Sequence, residues 1–238
     1  MGAPEPPDGR EEEGARAGAG LPDPARVKVE PPRYGRYVAL LAIVVLVLIT
    51  INTIVTKPNG SAGLAPGAAL PPFAVPLALS DLAGDANIAT GPNQGAAGRV
   101  PACSVRGPKV LNICQLYERG PVVLALFVDS GSCPQVLSEM QALVTSYPQV
   151  SFAGVAIKEE APGVRKLISA RHLTFPVGLD RDGALAALYK VASCPQVTLA
   201  LRGGEVDGKP LLGSFSAATL RGRVQELVAD SRGGGQGG

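Results

Sequence analysis

Pro121-Val-Val-Leu-Ala-Leu-Phe-Val128 runs without a polar side chain into Asp129-Ser-Gly-Ser-Cys133-Pro-Gln-Val136. This junction decides the fold. A short apolar run bounded by turn residues reads as a buried strand, here Val122–Val128. Leu137, Met140, Leu143 and Val144 follow at helical spacing, which predicts a helix over 134–146. Cys133 falls at its N-terminus, and Pro134 takes the first helical position, where a missing N–H costs nothing. A thiolate there faces unpaired N–H groups and the positive end of the helix dipole, and both stabilise it. The same pentapeptide, Ser132-Cys-Pro-Gln-Val136, recurs as Ser193-Cys194-Pro195-Gln196-Val197.

Downstream the pattern stays regular. Val150–Ile157 is a second apolar strand, and Ala161–His172 an amphipathic helix with Val164, Leu167 and Ile168 on one face. A short strand over 176–179 and a short helix over 184–191 follow. Val197–Leu201 is a strand, Gly203-Gly204 and Asp207-Gly208 mark turns, and Leu211–Phe215 returns. Ser216–Ala229 closes as a helix, and 231–238 is a Gly-rich tail. This order predicts an α/β fold, a central mixed sheet with flanking helices.

Upstream, Cys103-Ser-Val-Arg and Val110-Leu-Asn-Ile-Cys114 flank Gly107-Pro108-Lys109 and read as a hairpin. It would set Cys103 opposite Cys114, close enough for a structural disulfide. A metal site is the competing reading, but the chain has one histidine and no second ligand pair. Phe73, Val75, Leu77 and Leu79 alternate as a strand or docked segment, and residues 85–98 read as loop.

Tyr37–Thr56 carries no charge over 20 residues. As a helix it would span about 30 Å, a bilayer core. Arg26, Lys28, Arg33 and Arg36 precede it, and after Lys57 no Lys or Arg appears until Arg99. The positive-inside rule puts the N-terminus in the cytoplasm and the rest outside, in a single pass. The run is too long for a typical signal-peptide core. Residues 1–36 are expected to be a disordered tail, and 57–70 a flexible linker before a domain over 71–230.

The 238 residues carry net charge +2 and no Trp, which gives no reason to expect a nucleic-acid partner. Four cysteines, all after residue 100, suit an oxidising compartment. The Gly, Ala, Pro and Arg bias is consistent with a GC-rich bacterial genome.

With these residues in hand, the chain resembles the thioredoxin fold, and more narrowly the membrane-anchored extracytoplasmic redoxins of the TlpA and ResA group within the redoxin/peroxiredoxin superfamily. The resemblance rests on Pro121-Val-Val-Leu124, Cys133-Pro-Gln-Val136, Glu139-Met140, Phe175-Pro-Val-Gly-Leu-Asp180 with Asp182-Gly183, and Cys194-Pro195 with Thr198. It implies that Pro195 is cis and that Cys133 and Cys194 are neighbours. The family's second cysteine is Val136 here, so Cys194 is expected to replace it in a Cys133–Cys194 couple. The aromatic residue usual before the first cysteine is Ser132.

The resemblance implies a thiol-disulfide oxidoreductase acting on protein thiols or disulfides without a cofactor, reset by a membrane electron donor if reductive. Catalytic candidates are Cys133, Cys194, Pro195 and Glu159, the last matching a glutamate near the ResA-group cysteines. A permanent structural disulfide is the alternative, contributing ~4 kcal/mol in the chain-entropy model. Asp129 is a second candidate base. His172, beside Arg171, reads as a surface or helix-dipole residue. A thiol peroxidase using Cys133, with Ser130 as the nearby hydroxyl, is a further alternative, although Leu126 stands where peroxiredoxins carry proline. A redox-inactive binding module is the third.

Overall fold

The computed structural model describes residues 34–56 and 62–233; within the first span, the side chains of Arg36, Ile49 and 51–56 lie outside the description. The chain divides into two compact units, 1–57 and 58–238. In the first, helix α1 is Gly35–Thr56. Its described apolar side chains, Val38, Leu40, Leu41, Ile43 and Leu46 among them, are all exposed. Among the described residues no helix is long and apolar enough to cross a membrane. The span expected over 37–56 thus falls partly outside the described side chains. Residues 1–33 of the tail expected over 1–36, linker residues 57–61 and tail residues 234–238 lie outside them altogether, whereas Gly35 and Arg36 of that tail already belong to α1.

The second unit runs β1 (Ala74–Pro76), β2 (Val110–Asn112), α2 (Ile113–Arg119), β3 (Val122–Phe127), α3 (Gln135–Val144), β4 (Ser151–Ile157), α4 (Ala161–Ala170), β5 (Val177–Asp180), α5 (Ala184–Leu188), β6 (Gln196–Ala200), β7 (Leu211–Leu212) and α6 (Ala217–Gly233). The main sheet has the order β5-β4-β3-β6-β7. β3, β4 and β5 are parallel, β6 runs antiparallel to β3, and β7 antiparallel to β6.

β3 is buried at every position because both faces are covered. Val123, Ala125 and Phe127 pack on one side with Leu137 and Met140 of α3, Val164 of α4 and Leu220 of α6. Val122, Leu124 and Leu126 pack on the other with Ile113 and Leu116 of α2, Leu185 of α5 and Phe73. This alternation is the period-two pleat of a strand, and each fully buried Leu contributes about 1.5–3 kcal/mol.

Three expectations are corrected. Cys103 and Cys114 do form a disulfide, with Cα atoms 5.4 Å apart, but not across a hairpin. Cys103 sits in a 3-10 turn, Ala102–Ser104, and Cys114 in the first turn of α2. Asn112 is the reason: its Oδ1 accepts from the N–H groups of Cys114 and Gln115, capping α2. Its Nδ2 donates to the carbonyls of Ala102 and Val105. Freed from a hairpin, Val110–Asn112 pairs instead with Ala74–Pro76.

Second, residues 62–70 of the expected linker are docked. Leu64 and Leu70 are buried, and the Gly67 and Leu70 N–H groups donate to Val206 and Gly204 carbonyls. Third, α3 begins at Gln135, with Pro134 as its cap rather than its first residue. α6 likewise runs on to Gly233, past the expected domain end at 230.

Candidate active site at the end of strand β3

The sheet register creates the site. Leu126 pairs with Gln196 in the antiparallel β3–β6 ladder, so two residues further Val128 stands opposite Cys194. Beyond Val128 the chain turns back, with Gly131 at φ +55° and the Cys133 N–H donating to the Ser130 carbonyl at 3.2 Å. Gly131 supplies the left-handed conformation such a turn needs. The turn delivers Cys133 to Cys194. The two form a disulfide with Cα atoms 5.3 Å apart, within the range such bonds require.

The backbone N–H of Val128 faces both sulfurs, 3.4 Å from Cys133 Sγ and 3.3 Å from Cys194 Sγ. Cys133 is buried and Cys194 partly exposed. The Cys194–Pro195 peptide is cis, and the Pro195 carbonyl accepts the Gly213 N–H at 2.8 Å, fastening this loop to the chain after β7.

Glu159 arrives by the parallel register. Phe127 pairs with Ala156, which sets Asp129 beside the end of β4. Lys158 takes φ +54°, and Glu159 Oε1 accepts the Asp129 N–H at 2.8 Å. Consecutive amides thus serve consecutive groups: Val128 the sulfurs, Asp129 the carboxylate. Among the described residues no hydrogen bond joins Glu159 to either sulfur. Asp129 and Ser130 are exposed on the turn. His172 is exposed, with φ +50°, just past the end of α4. That is the end of α4 away from Glu160, which precedes its first turn.

Sequence reading missed a cleft of about 210 Å³ beside the disulfide, lined by Ser132, Gln135, Val136, Glu139, Pro195 and Phe215 among others. Glu139 is the one charged side chain in that lining, and burial pushes its carboxyl above the usual range. Its position one turn after Gln135 on α3 was a legible signal; the contribution of Phe215, from the chain after β7, was not. Among the described residues no cluster of three or more His, Cys, Asp or Glu is placed to hold a metal ion.

No family model matches this sequence, and no curated protein matches it. Solved structures do match. A protein assigned as the thiol:disulfide interchange protein DsbE of Chlorobium tepidum superposes with TM-score 0.52 at 18% identity, over 69% of this chain and 98% of that one. A second Chlorobium tepidum thiol:disulfide interchange protein, of the thioredoxin family, gives 0.50 at 14%, over 70% and 99%. The peroxidoxin BcpB of Mycobacterium tuberculosis gives 0.50 at 14%, over 71% and 97%. At these identities the shared property is the architecture, and the fold of residues 62–233 is thioredoxin-like.

Proposed function

We propose that the protein is a membrane-tethered, extracytoplasmic thiol-disulfide oxidoreductase whose redox couple is Cys133–Cys194. The observation that carries this reading is the position of that disulfide. It lies beside an open cleft at the N-terminal end of α3, with the Val128 amide facing both of its sulfurs. Each disulfide joins one buried cysteine, Cys133 or Cys114, to one partly exposed one, Cys194 or Cys103, so the cleft and the amide are what set this pair apart. Exchange needs an attackable sulfur, and the partly exposed Cys194–Cys133 bond offers one.

In the reductive direction the Cys133 thiolate attacks one sulfur of a substrate disulfide. The substrate S–S bond breaks, and its other sulfur leaves as a thiolate that takes a proton from water. The Cys194 thiolate then attacks Cys133 Sγ, breaks the mixed disulfide and releases the second substrate thiolate. Two electrons have moved to the substrate, leaving Cys133–Cys194 oxidised. The Val128 N–H favours negative charge on either sulfur through both steps. A membrane dithiol would restore the reduced pair, and the opposite direction uses the same atoms.

Tethering is supported by the uncharged run 37–56 and by α1, whose described apolar side chains are exposed all round, with Thr50 turning its hydroxyl onto the Leu46 carbonyl. The cationic residues before it support a cytoplasmic N-terminus.

The test uses the full-length chain in detergent. Mild reductant should open Cys133–Cys194 and leave Cys103–Cys114 closed, as read by mass-spectrometric mapping, and the reduced protein should reduce insulin disulfides. A Cys133–Cys194 bond that resists along with Cys103–Cys114 would make both structural and overturn the reading. Rapid peroxide consumption with inertness toward insulin would replace it with a peroxidase.

A further inference from the structure

The opposite end of β3 carries a second concave site. Arg119 and Pro121 precede β3, Gln149 precedes β4, and Arg202 follows antiparallel β6, so all lie at the sheet edge remote from Cys133. Six residues of strand separate the two ends, roughly 20 Å. With Val228 and Arg232 of α6 they line a pocket of about 240 Å³. Three guanidinium groups and no carboxylate form its charged lining.

Helix dipoles account for only part of this charge. Arg119 ends α2 and Arg232 lies in the last turn of α6. Two helix C-termini together carry roughly one negative charge. Three arginines against that leave a local excess of about two positive charges. Glu118, the adjacent acid, is already held by both terminal nitrogens of Arg106, at 2.9 and 2.6 Å. Asp230 is on α6 but outside the lining. Arg202 Nε donates to the Glu118 carbonyl at 3.2 Å, which fixes its stem. Arg119 and Arg232 form no side-chain hydrogen bond or ion pair with any described residue.

We propose that this pocket binds a phosphate-type anion. Planar guanidinium forks match tetrahedral oxyanions, and Pro121 and Val228 give the floor an apolar part that tolerates a carbon substituent on the phosphate. That chemistry has two sources, free inorganic phosphate and the headgroup of an anionic phospholipid. The site is independent of the redox reading, because none of its residues belongs to the cysteine site.

The test is a titration of the full-length, ¹⁵N-labelled chain in neutral detergent, following the amides of Gly120, Val228 and Ser231. The probes are inorganic phosphate, dihexanoyl phosphatidylglycerol and, as the zwitterionic control, dihexanoyl phosphatidylcholine. Saturable shifts with phosphate and with phosphatidylglycerol establish a free-anion site. Shifts with phosphatidylglycerol alone establish a headgroup site. Arg202→Gln should weaken binding on the order of tenfold and Arg202→Lys less, and raised salt should weaken it further. Arg232→Gln, a change at an exposed position, should also weaken it and leaves the sheet untouched. The absence of saturable shifts, equal shifts with phosphatidylcholine, or unaltered binding by Arg232→Gln and Arg202→Gln would each overturn the proposal.

Discussion

The Val128 backbone N–H lies 3.3 Å from Cys194 Sγ and 3.4 Å from Cys133 Sγ, so one amide at the end of the central strand contacts both sulfurs of the disulfide. It comes from the backbone, and no substitution other than proline removes it. The geometry therefore depends on the β3–β6 register, not on which residue occupies position 128.

The two cysteines should separate kinetically. Cys133→Ser is expected to abolish insulin reduction. Cys194→Ser should keep the first attack and lose the second, so a mixed disulfide between Cys133 and the substrate accumulates. Non-reducing gels with mass spectrometry read this directly. Turnover of Cys194→Ser should fall by at least ~100-fold, since resolution then relies on outside thiols. Undiminished turnover would assign the resolving role elsewhere.

Asp180 should make stability pH-dependent. It is 0% exposed, and burial pushes its carboxyl up to about 6 from an ordinary 3.8, despite hydrogen bonds from the Leu185 and Ala186 N–H groups. The folded state thus binds this proton more tightly than the unfolded state. Stability from this group is full below pH 3.8 and declines as pH rises to about 6. The loss is on the order of 3 kcal/mol. Urea unfolding of wild type and Asp180→Asn at intervals from pH 4 to 7 should show the difference shrinking in slope above 6. Parallel curves would refute the assignment.

Asn112→Ala should cost about 2–4 kcal/mol, because one buried side chain caps α2 and holds two carbonyls of the preceding loop. Removing the neighbouring disulfide with Cys103→Ser and Cys114→Ser, an 11-residue separation, should cost ~3 kcal/mol in the chain-entropy model. Denaturant midpoints with a constant slope would check both.

Gly178→Ala should destabilise by ~1–3 kcal/mol although its backbone conformation is ordinary. A Cβ there would overlap the Val75 side chain and press on Leu111, where the β1–β2 pair lies over β5. Thermal unfolding would measure it, and an unchanged midpoint would show that β1 and β2 shift freely.

Periodicity made most of the sheet legible. Val122–Phe127 and Phe152–Ile157 are continuous apolar runs because both faces of the sheet are covered, and Gln196–Ala200 is buried throughout although it carries Gln196 and Thr198. α2 was not legible. Ile113–Arg119 is seven residues, and its start depends on what Asn112 bonds. Local pattern equally fits a strand ending at Cys114. Ala62–Leu70 was misread for a related reason: a Gly/Ala/Pro segment shows no amphipathic period, yet Leu64 and Leu70 suffice to dock it.

The sequence by itself determined that Cys133 follows a buried strand and precedes a helix, since apolar period, turn residues and Pro134 are local properties. It also determined the charge-free run 37–56. Only the tertiary structure decided that the Val128 amide faces both sulfurs, that Glu159 bonds the Asp129 amide, and that Phe215 and Glu139 line one cleft. Those relationships follow from strand register and crossover direction, which join residues tens of positions apart and leave no periodic mark in the chain.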